Sequence, residues 1–167
     1  VYKRQTVGLM MSKILKVDNK ESLKGAIDLG IAMQLTNIAR DVVEDKNRNR
    51  EYIEFNFSSI RETIYSAEIF YKKSFFAISS IPIKSRFSII VARRVYKKIG
   101  NYILNQKNIE KYKSVGKIYV PMPVKIIETT LSIIDFLRLL FVKNINYSNS
   151  ENHSILNQEI NLNERIW

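Results

Sequence analysis

The sequence predicts an all-α fold, and three observations lead to it. Apolar residues recur every three or four positions through most of the 167 residues, which is the period of one helix face. No segment shows the strict alternation of apolar and polar residues that is typical of a half-buried strand. The sequence also contains no internal repeat. Because the chain is long enough for one sizeable core, we expect a single helical bundle.

Each predicted helix rests on its own apolar periodicity and start signal. Asp18 and Asn19 are expected to cap the central helix, Ser58 or Ser59 the next one, and Pro82 takes the favoured first-turn position of the fourth. The predicted helices span residues 6–17, 26–43, 58–78, 82–104 and 124–142.

The central helix, Ala26 to Val43, is apolar almost all the way round, which indicates burial. Polar residues nevertheless recur at helical spacing along one stripe of it, with Glu44 at the edge. The stripe consists of Gln34, Asn37, Asp41 and Asp45. Carboxylates that lie four residues apart repel each other, and more strongly when they are desolvated. We therefore expect a cation to neutralise this stripe.

Magnesium is the cation that best fits these side chains. The stripe supplies carboxylate and amide oxygens with no sulfur or imidazole, and Mg²⁺ prefers such ligands and is commonly shared with substrate phosphates. Arg40, Lys46, Arg48 and Arg50 interleave basic groups with the acids, as expected for a site that holds a metal-bridged diphosphate. The alternative interpretation is that the acidic end of this helix and the charged residues after it are simply exposed to solvent and bind no ligand.

Composition excludes several classes of site and leaves others open. The chain has no cysteine, and its only histidine is His153 near the carboxyl end. Thiolate sites, disulfides and histidine-based zinc, di-iron or hydrolase centres are therefore not expected. The formal net charge of +11 suits nucleic acid, an anionic membrane or a phosphorylated substrate. No membrane-spanning run or secretory signal is evident, so we expect a cytoplasmic protein or one peripheral to the inner face of the membrane.

The run LGIAMQLTNIARDVVEDKNRNREY resembles the second aspartate-rich motif of the squalene/phytoene synthase family. That motif reads Q-x-x-N-x-x-R-D-x-x-x-D followed by R-x-Y, although this chain continues with Ile53 and Glu54 where the family usually has Leu-Pro. Every position of the motif is filled, by Gln34, Asn37, Arg40, Asp41, Asp45, Arg50 and Tyr52.

Two further segments resemble the same family. Residues 92–96 resemble its A-R-x-x-Y helix, in which Tyr96 would face the diphosphate. Residues 116–125 resemble a stretch that supplies an arginine and a later lysine, which correspond here to Lys117 and Lys125. The resemblance covers residues 6–142, and its pattern looks closest to bacterial phytoene synthases.

The resemblance implies an isoprenoid-synthase-type helical bundle and a head-to-head prenyl transfer. Two geranylgeranyl diphosphates would give phytoene through a cyclopropyl (prephytoene) diphosphate, with Mg²⁺ as cofactor. Asn37, Asp41 and Asp45 would bind the metal, and Asp41, Asp45 and Tyr96 would be catalytic. The implied substrate-binding residues are Gln34, Arg40, Arg50, Tyr52 and Lys117.

The chain is interpreted as an incomplete bundle. Residues 1–5 look like a sequencing or assembly scar, residues 6–143 form the carboxyl-terminal part of the family domain, and residues 144–167 are a polar, disordered tail. No second acidic D-x-x-x-D motif on an apolar helix is present, so the front helices that carry it in the family are expected to be missing. This fragment is then expected to be inactive by itself. The sequence does not define the oligomeric state.

Three other functions remain open. A squalene or dehydrosqualene synthase that uses farnesyl diphosphate would share nearly all of the motif. A non-catalytic scaffold or assembly relative would be expected to lose its acidic ligands, whereas Asp41 and Asp45 are present. A basic nucleic-acid-binding module is favoured by charge alone, because no recognition helix or basic cluster is found, and nucleic acid is not an expected partner.

Overall fold

The computed structural model describes residues 10–17, 19–142, 147, 150–153 and 156. Within these residues it contains helices and no strand, so the predicted all-α fold is confirmed. Residues 10–14 are helical, and the segment interpreted as a scar lies outside the described residues. The α-helices that follow are α1 Lys20–Asn47, α2 Phe57–Ser74, α3 Ile83–Leu104, α4 Ile109–Val115 and α5 Met122–Leu140, with short 3₁₀ helices at Phe76–Ser80 and Glu151–His153.

Helix α1 is the axis of the bundle and is longer at both ends than the predicted 26–43. Asn19 caps it as predicted, because its side chain accepts hydrogen bonds from the backbone N–H groups of Glu21 and Ser22; Asp18 lies outside the described residues. The helix packs mainly against α2 and also against α3 and the first 3₁₀ helix. Contacts on several sides explain why its sequence is apolar almost all the way round.

The other helices also differ in their bounds from the sequence predictions. Helix α3 begins at Ile83, so Pro82 is its N-cap and not part of its first turn, and α5 spans Met122–Leu140 instead of 124–142. Helix α2 is capped by Asn56, whose side chain accepts from the Ser59 N–H, and not by Ser58 or Ser59. It ends at Ser74, and the residues that were expected to continue it form the 3₁₀ helix. Helix α4 was not predicted, because seven residues are too few for a clear helical period.

Two apolar clusters form most of the core, one at each half of α1. The first surrounds the carboxyl-terminal half of α1 and includes Ala39, Val42, Ile60 and Tyr112. The second lies toward its amino-terminal half and includes Leu29 and Tyr71. No helix in the described part of the chain is both long and apolar enough to cross a bilayer.

The described residues of the tail contact α1. Tyr147 Oη donates a hydrogen bond of 2.6 Å to Asp28 Oδ2, and His153 Nε2 lies 3.0 Å from Asp28 Oδ1. Asp28, His153 and Leu156 are all buried. At these positions the structure differs from the disordered tail expected over residues 144–167, because a buried carboxylate on α1 gives the tail polar partners. The rest of that tail lies outside the described residues.

Helix α5 has its polar side turned inward. Glu128 and Ser132 are buried, and Arg94 of α3 donates to Glu128 at 2.9 Å and to Asp135 at 2.7 Å. Lys98 also pairs with Glu128, at 3.3 Å. The opposite side of the helix is apolar and exposed. Its exposed large apolar residues are Met122, Ile126, Ile127, Leu131, Ile133, Ile134, Leu137 and Leu140, followed by Phe141.

Gly25 is expected to be required for the close approach of α1 to the first 3₁₀ helix. A Cβ atom at this position would lie 2.1 Å from the Ala77 Cβ, whereas at Gly100 the nearest atom, Ile64 Cγ2, would be 3.2 Å away. We expect Gly25→Ala to lower the free energy of unfolding by about 1 to 3 kcal/mol through overpacking. Chemical denaturation beside the matched helix-interior variant Gly100→Ala measures this. Equal stabilities of the two variants would contradict the prediction.

Candidate functional site

The structure brings most of the predicted site residues to one open polar pocket beside the second half of α1. The pocket has an empty volume of about 540 Å³. Ile38 is the one apolar residue in its lining. The predicted residues that line it are Gln34, Asn37, Arg40, Asp41, Asp45 and Tyr52. Residues that lie near one another along α1 thus share a pocket with Tyr52, which follows the helix.

The polar stripe lies at the edge of the bundle and not within its buried surface. Gln34 is exposed, and Asn37, Asp41 and Asp45 are half-buried. The expectation that the whole stripe would be buried is therefore wrong at Gln34. The physical reason is that Thr36, Ala39 and Val42, which lie on other faces of α1, are the residues packed into the core at this level, and this leaves the carboxylates partly exposed.

Protein cations neutralise Asp41 in the structure. Arg40 Nε and Nη2 donate to the two oxygens of Asp41 at 2.8 and 2.9 Å, which is a bidentate pair. Lys117 Nζ lies 3.3 Å from Asp41 Oδ1 and donates to Glu44 Oε2 at 2.8 Å. Partial burial opposes ionisation of Asp41, but the hydrogen bonds and charges of Arg40 and Lys117 outweigh it and lower the pKa of the carboxyl. The expected neutralising cation is thus supplied at least in part by the chain itself.

Lys117 joins the site from a distant part of the sequence. Its hydrogen bonds to Glu44 and Asp41 raise the pKa of the ammonium, and the same contact lowers the pKa of Glu44. The residue follows Gly116, whose φ of 70° and ψ of −149° are essentially restricted to glycine. The connection between α4 and α5 therefore positions a cation over the acidic end of α1.

One polar atom of the stripe has no partner. The buried side-chain oxygen Oδ1 of Asn37 has no hydrogen-bond partner among the described residues, and buried polar atoms rarely remain unsatisfied. Asp41 follows one helical turn later and Asp45 one turn after that, so an amide and two carboxylate oxygens lie along one face. This donor set fits a hard divalent cation. The described part of the chain contains no group of three or more His, Cys, Asp or Glu side chains that could bind a metal.

A specific backbone turn directs the chain from Asp45 back to the pocket. Asn49 has a left-handed φ of 55°, and the N–H groups of Asn49 and Arg50 donate to the carbonyls of Lys46 and Asp45 at 3.0 and 2.8 Å. These are the two hydrogen bonds of a Schellman motif. The turn fixes the backbone of Arg50 against Asp45. The Arg50 side chain is exposed and lines a small adjoining pocket.

Residues that sequence reasoning missed hold this end of α1 in place. Tyr112 of α4 is completely buried, and its hydroxyl lies 2.7 Å from the Ala39 carbonyl and 2.6 Å from the Arg40 carbonyl. Lys46 and Lys113 lie over the ring of Phe55, with Nζ to ring-centroid distances of 3.9 and 4.7 Å. The one sequence signal for α4 is Asn108, which caps it by accepting from the Lys111 N–H.

Tyr96 is not among the residues that line the polar pocket. It is half-buried and packs against both apolar clusters. The hydrogen bond that Arg40 donates to Asp41 is the largest cause of the raised pKa of Arg40, and the phenols of Tyr96 and Tyr119 also contribute to it. The predicted catalytic role of Tyr96 remains a prediction.

A separate apolar pocket lies beside the amino-terminal half of α1. It has an empty volume of about 640 Å³, and its lining includes Met33, which precedes Gln34 in the chain. Gly30 and Ala26 continue the lining one and two turns earlier, and their small side chains leave space beside the helix. A polar pocket and an apolar pocket therefore follow each other along one helix.

The first third of the chain matches a known protein family. Residues 2–53 match the family model described as squalene/phytoene synthase. The matched range begins within the segment interpreted as a scar and ends directly after Tyr52. It therefore contains every residue of the polar stripe together with Arg40 and Arg50.

Curated proteins with similar sequences are phytoene synthases. The chain is 34% identical over 115 residues to the 15-cis-phytoene synthase of Enterobacter agglomerans, and the alignment covers 56% of this chain and 39% of that protein. It is also 34% identical over 115 residues to the 15-cis-phytoene synthase of Pantoea ananas, covering 56% and 37%. The phytoene synthase of Thermus thermophilus is 54% identical over 48 residues, covering 29% of this chain and 16% of that protein. The aligned part thus spans less than two fifths of the length of each relative.

Proposed function

We propose that this chain, which is related to the squalene/phytoene synthase family, forms the diphosphate-binding part of an enzyme. That enzyme would join two prenyl diphosphates head to head. The substrate we propose is geranylgeranyl diphosphate and the product phytoene, formed through a cyclopropyl (prephytoene) diphosphate. The observation that carries the proposal is the convergence of six motif residues on one polar pocket. The reaction would occur in the cytoplasm or on the inner face of the membrane.

The proposed metal ligands are Asn37, Asp41 and Asp45. The unsatisfied Asn37 Oδ1 supports this assignment, because a cation would give that buried oxygen the partner it lacks among the described residues. Magnesium, when bound, would stabilise the negative charge that develops on the departing diphosphate. The chain would contribute an amide and two carboxylates from successive turns of one helix, which orients all three without a flexible loop.

The proposed diphosphate contacts are Arg40, Arg50, Tyr52 and Lys117, with Gln34 lining the same pocket. Arg40 and Lys117 already lie against Asp41, so a diphosphate would enter a site whose cations are held in position. Such preorganised donors stabilise a developing anion without reorganisation at the moment of reaction. Tyr96 is proposed to face the diphosphate, although it does not line the polar pocket.

The apolar pocket would hold a prenyl chain. Its lining is formed by aliphatic and methionine side chains together with glycine, alanine and serine. Such walls exclude water, which would otherwise quench a carbocation. Because α1 contributes residues to both pockets, a substrate with its diphosphate at Asp41 would place its hydrocarbon chain toward the amino-terminal half of this helix.

The alternative is a synthase that uses farnesyl diphosphate, because the motif residues would bind the diphosphate and not the prenyl chain, and so do not determine its length. The names of the relatives favour the geranylgeranyl substrate. A scaffold or assembly role is less well supported, because both Asp41 and Asp45 are retained in an open pocket. We also propose that the 167-residue chain alone is inactive, because it carries one acidic cluster where the proposed mechanism needs two.

A chimaeric enzyme tests the proposed function. In the Pantoea ananas phytoene synthase, the aligned segment would be replaced by the corresponding residues of this chain. The chimaera is expected to form phytoene from geranylgeranyl diphosphate in the presence of magnesium. A folded chimaera that forms no product from either geranylgeranyl or farnesyl diphosphate would favour the scaffold role. The isolated chain is assayed in parallel, and turnover by it would contradict its proposed inactivity.

A further inference from the structure

A buried hydroxyl without a partner belongs to the lining of the apolar pocket beside the amino-terminal half of α1. Ser22 is 3% exposed and lines this pocket, and its Oγ atom has no hydrogen-bond partner among the described residues. Buried polar atoms rarely remain unsatisfied, and each one that does calls for an explanation. We propose that the apolar pocket binds a neutral long-chain lipid alcohol, whose hydroxyl group pairs with Ser22 Oγ.

The position of Ser22 in its helix explains why its hydroxyl lacks a partner within the chain. Ser22 lies in the first turn of α1, so no complete helical turn precedes it to offer a carbonyl. Its backbone N–H donates to Asn19 Oδ1 at 3.2 Å, which leaves the side chain unused. Ser74, which lines the same pocket, differs because its hydroxyl donates to the Phe70 carbonyl at 2.8 Å. The Ser22 hydroxyl is thus left for a ligand.

The pocket has the size and the walls of a site for a long apolar molecule. Its empty volume of about 640 Å³ lies within the range of roughly 300 to 1,000 Å³ that is typical of small-molecule sites. Leu29, Met33 and Ile78 are among the side chains that form its walls, and Ala26 leaves space beside the helix. Such sites combine a mostly apolar lining with a few polar groups that fix the orientation of the ligand. Ser22 would be the orienting group here.

The charges near Ser22 favour a neutral ligand. Lys24 is buried, and its ammonium pairs with Glu21 Oε1 at 2.7 Å. The other carboxylate oxygen of Glu21 accepts a hydrogen bond from the Tyr147 N–H at 2.9 Å. Both charged groups therefore have partners already, and the described residues that line the pocket include no charged side chain. A carboxylate would lose its hydration there without gaining a counter-ion, whereas an alcohol can donate to Ser22 or accept from it.

The alcohol would compete with the hydrocarbon chain of a substrate, and this consequence rests on the proposed function. A prenyl chain has no polar group at the end remote from its diphosphate, so it would leave Ser22 Oγ unpaired, whereas an alcohol gives that atom a partner. Because both molecules need the same apolar walls, they cannot occupy the pocket together. The alcohol would therefore inhibit the enzyme competitively with the prenyl diphosphate. Binding of the alcohol itself does not depend on the proposed function.

Displacement of a fluorescent hydrocarbon from the 167-residue chain tests the proposal. Diphenylhexatriene, which fluoresces in apolar sites and has no polar group, would be bound first, and dodecanol would then be titrated against it. Dodecanol is expected to displace the probe at a concentration at least tenfold lower than dodecanoate does. Ser22→Ala is expected to weaken dodecanol binding about three- to tenfold and to leave probe binding unchanged. Ser74→Ala, the matched control in the same pocket, should leave both unchanged.

Two further measurements locate the ligand and test the unpaired hydroxyl. Ala26→Leu narrows the pocket and is expected to weaken the binding of probe and dodecanol alike. Because Ser22 Oγ has no partner, Ser22→Ala should not lower the urea concentration at the midpoint of unfolding, and circular dichroism confirms that each variant folds.

Several outcomes would overturn the proposal. These are no displacement by dodecanol, stronger binding of dodecanoate, equal affinity of dodecanol for the parent and for Ser22→Ala, or an equal loss in Ser74→Ala. Unchanged binding to Ala26→Leu would place the ligand elsewhere, and a lower unfolding midpoint of Ser22→Ala would mean that the hydroxyl has a partner within the chain; either result also overturns it. Phytoene formation by the chimaera is a separate readout, so failure of one proposal is distinguishable from failure of the other.

Discussion

Replacing Asp41 or Asp45 with alanine is expected to abolish phytoene formation by the chimaeric enzyme, with losses of about 10² to 10³-fold or more in kcat. Each change removes a proposed magnesium ligand. Asp41→Ala also releases Arg40 and Lys117 from the carboxylate that holds them at 2.8 and 3.3 Å. The measurement is phytoene formed per enzyme under saturating geranylgeranyl diphosphate and a range of magnesium concentrations.

The isosteric variant Asp41→Asn separates charge from shape. It keeps the size of the side chain but loses the negative charge, so we expect nearly the same loss as for alanine. Glu62→Ala, at an exposed carboxylate on α2, serves as the control and should retain full activity. All of these side chains are partly or fully exposed, so stability should change by less than about 1 kcal/mol. Activity of Asp41→Asn within fivefold of the parent would show that the metal role is assigned wrongly.

The acidic stripe could be predicted from the sequence because its members lie on one helix. Helical periodicity alone places Asn37, Asp41 and Asp45 on one face, and the structure brings them to one pocket. Periodicity could not identify the partner of Asp41. Arg40 is adjacent in sequence and points away in an ideal helical projection, but its long side chain reaches back to form the bidentate pair.

Contacts between distant segments could not be predicted from the local sequence pattern. Lys117 was assigned to the site through a family resemblance, and no feature of its own segment predicts its contact with Glu44. Tyr112, which anchors the Ala39 and Arg40 carbonyls, belongs to a helix too short to show a period. The docking of Tyr147 and His153 on Asp28 joins residues more than a hundred positions apart. Such contacts are determined by how the helices pack and not by the residues adjacent in sequence.

Helix α5 shows a different limit of sequence interpretation. Its periodicity correctly indicates an amphipathic helix, and the usual assumption would place its isoleucines in the core. The structure has the reverse arrangement, because Arg94 and Lys98 on α3 offer partners for Glu128 and Asp135. Which side of an amphipathic helix faces the bundle therefore depends on charges carried by another helix.

Arg94→Met is expected to lower the free energy of unfolding by about 1 to 3 kcal/mol, because Arg94 donates to two carboxylates and one of them, Glu128, is buried. Asp135 would lose the partner that lies 2.7 Å away, whereas Glu128 would keep Lys98 at 3.3 Å. Urea denaturation followed by circular dichroism measures the change. Lys97→Met is the matched control on the same helix, because Lys97 pairs with a single carboxylate, Glu68, which is not buried, and this pair should contribute less than about 1 kcal/mol.

The triple variant Arg94→Met/Glu128→Gln/Asp135→Asn tests the cause of that loss. If uncompensated charge is responsible, removing both carboxylates should restore a large part of the stability lost in Arg94→Met. If the aliphatic packing of Arg94 were responsible, the triple variant would be no more stable than the single one. The same ion pairs hold the apolar side of α5 outward. In the triple variant, which lacks them, we therefore expect α5 to rotate more freely about its axis even where stability is restored. A bimane fluorophore on a cysteine introduced as Ile134→Cys, which is 63% exposed in the parent, would then report a less polar environment.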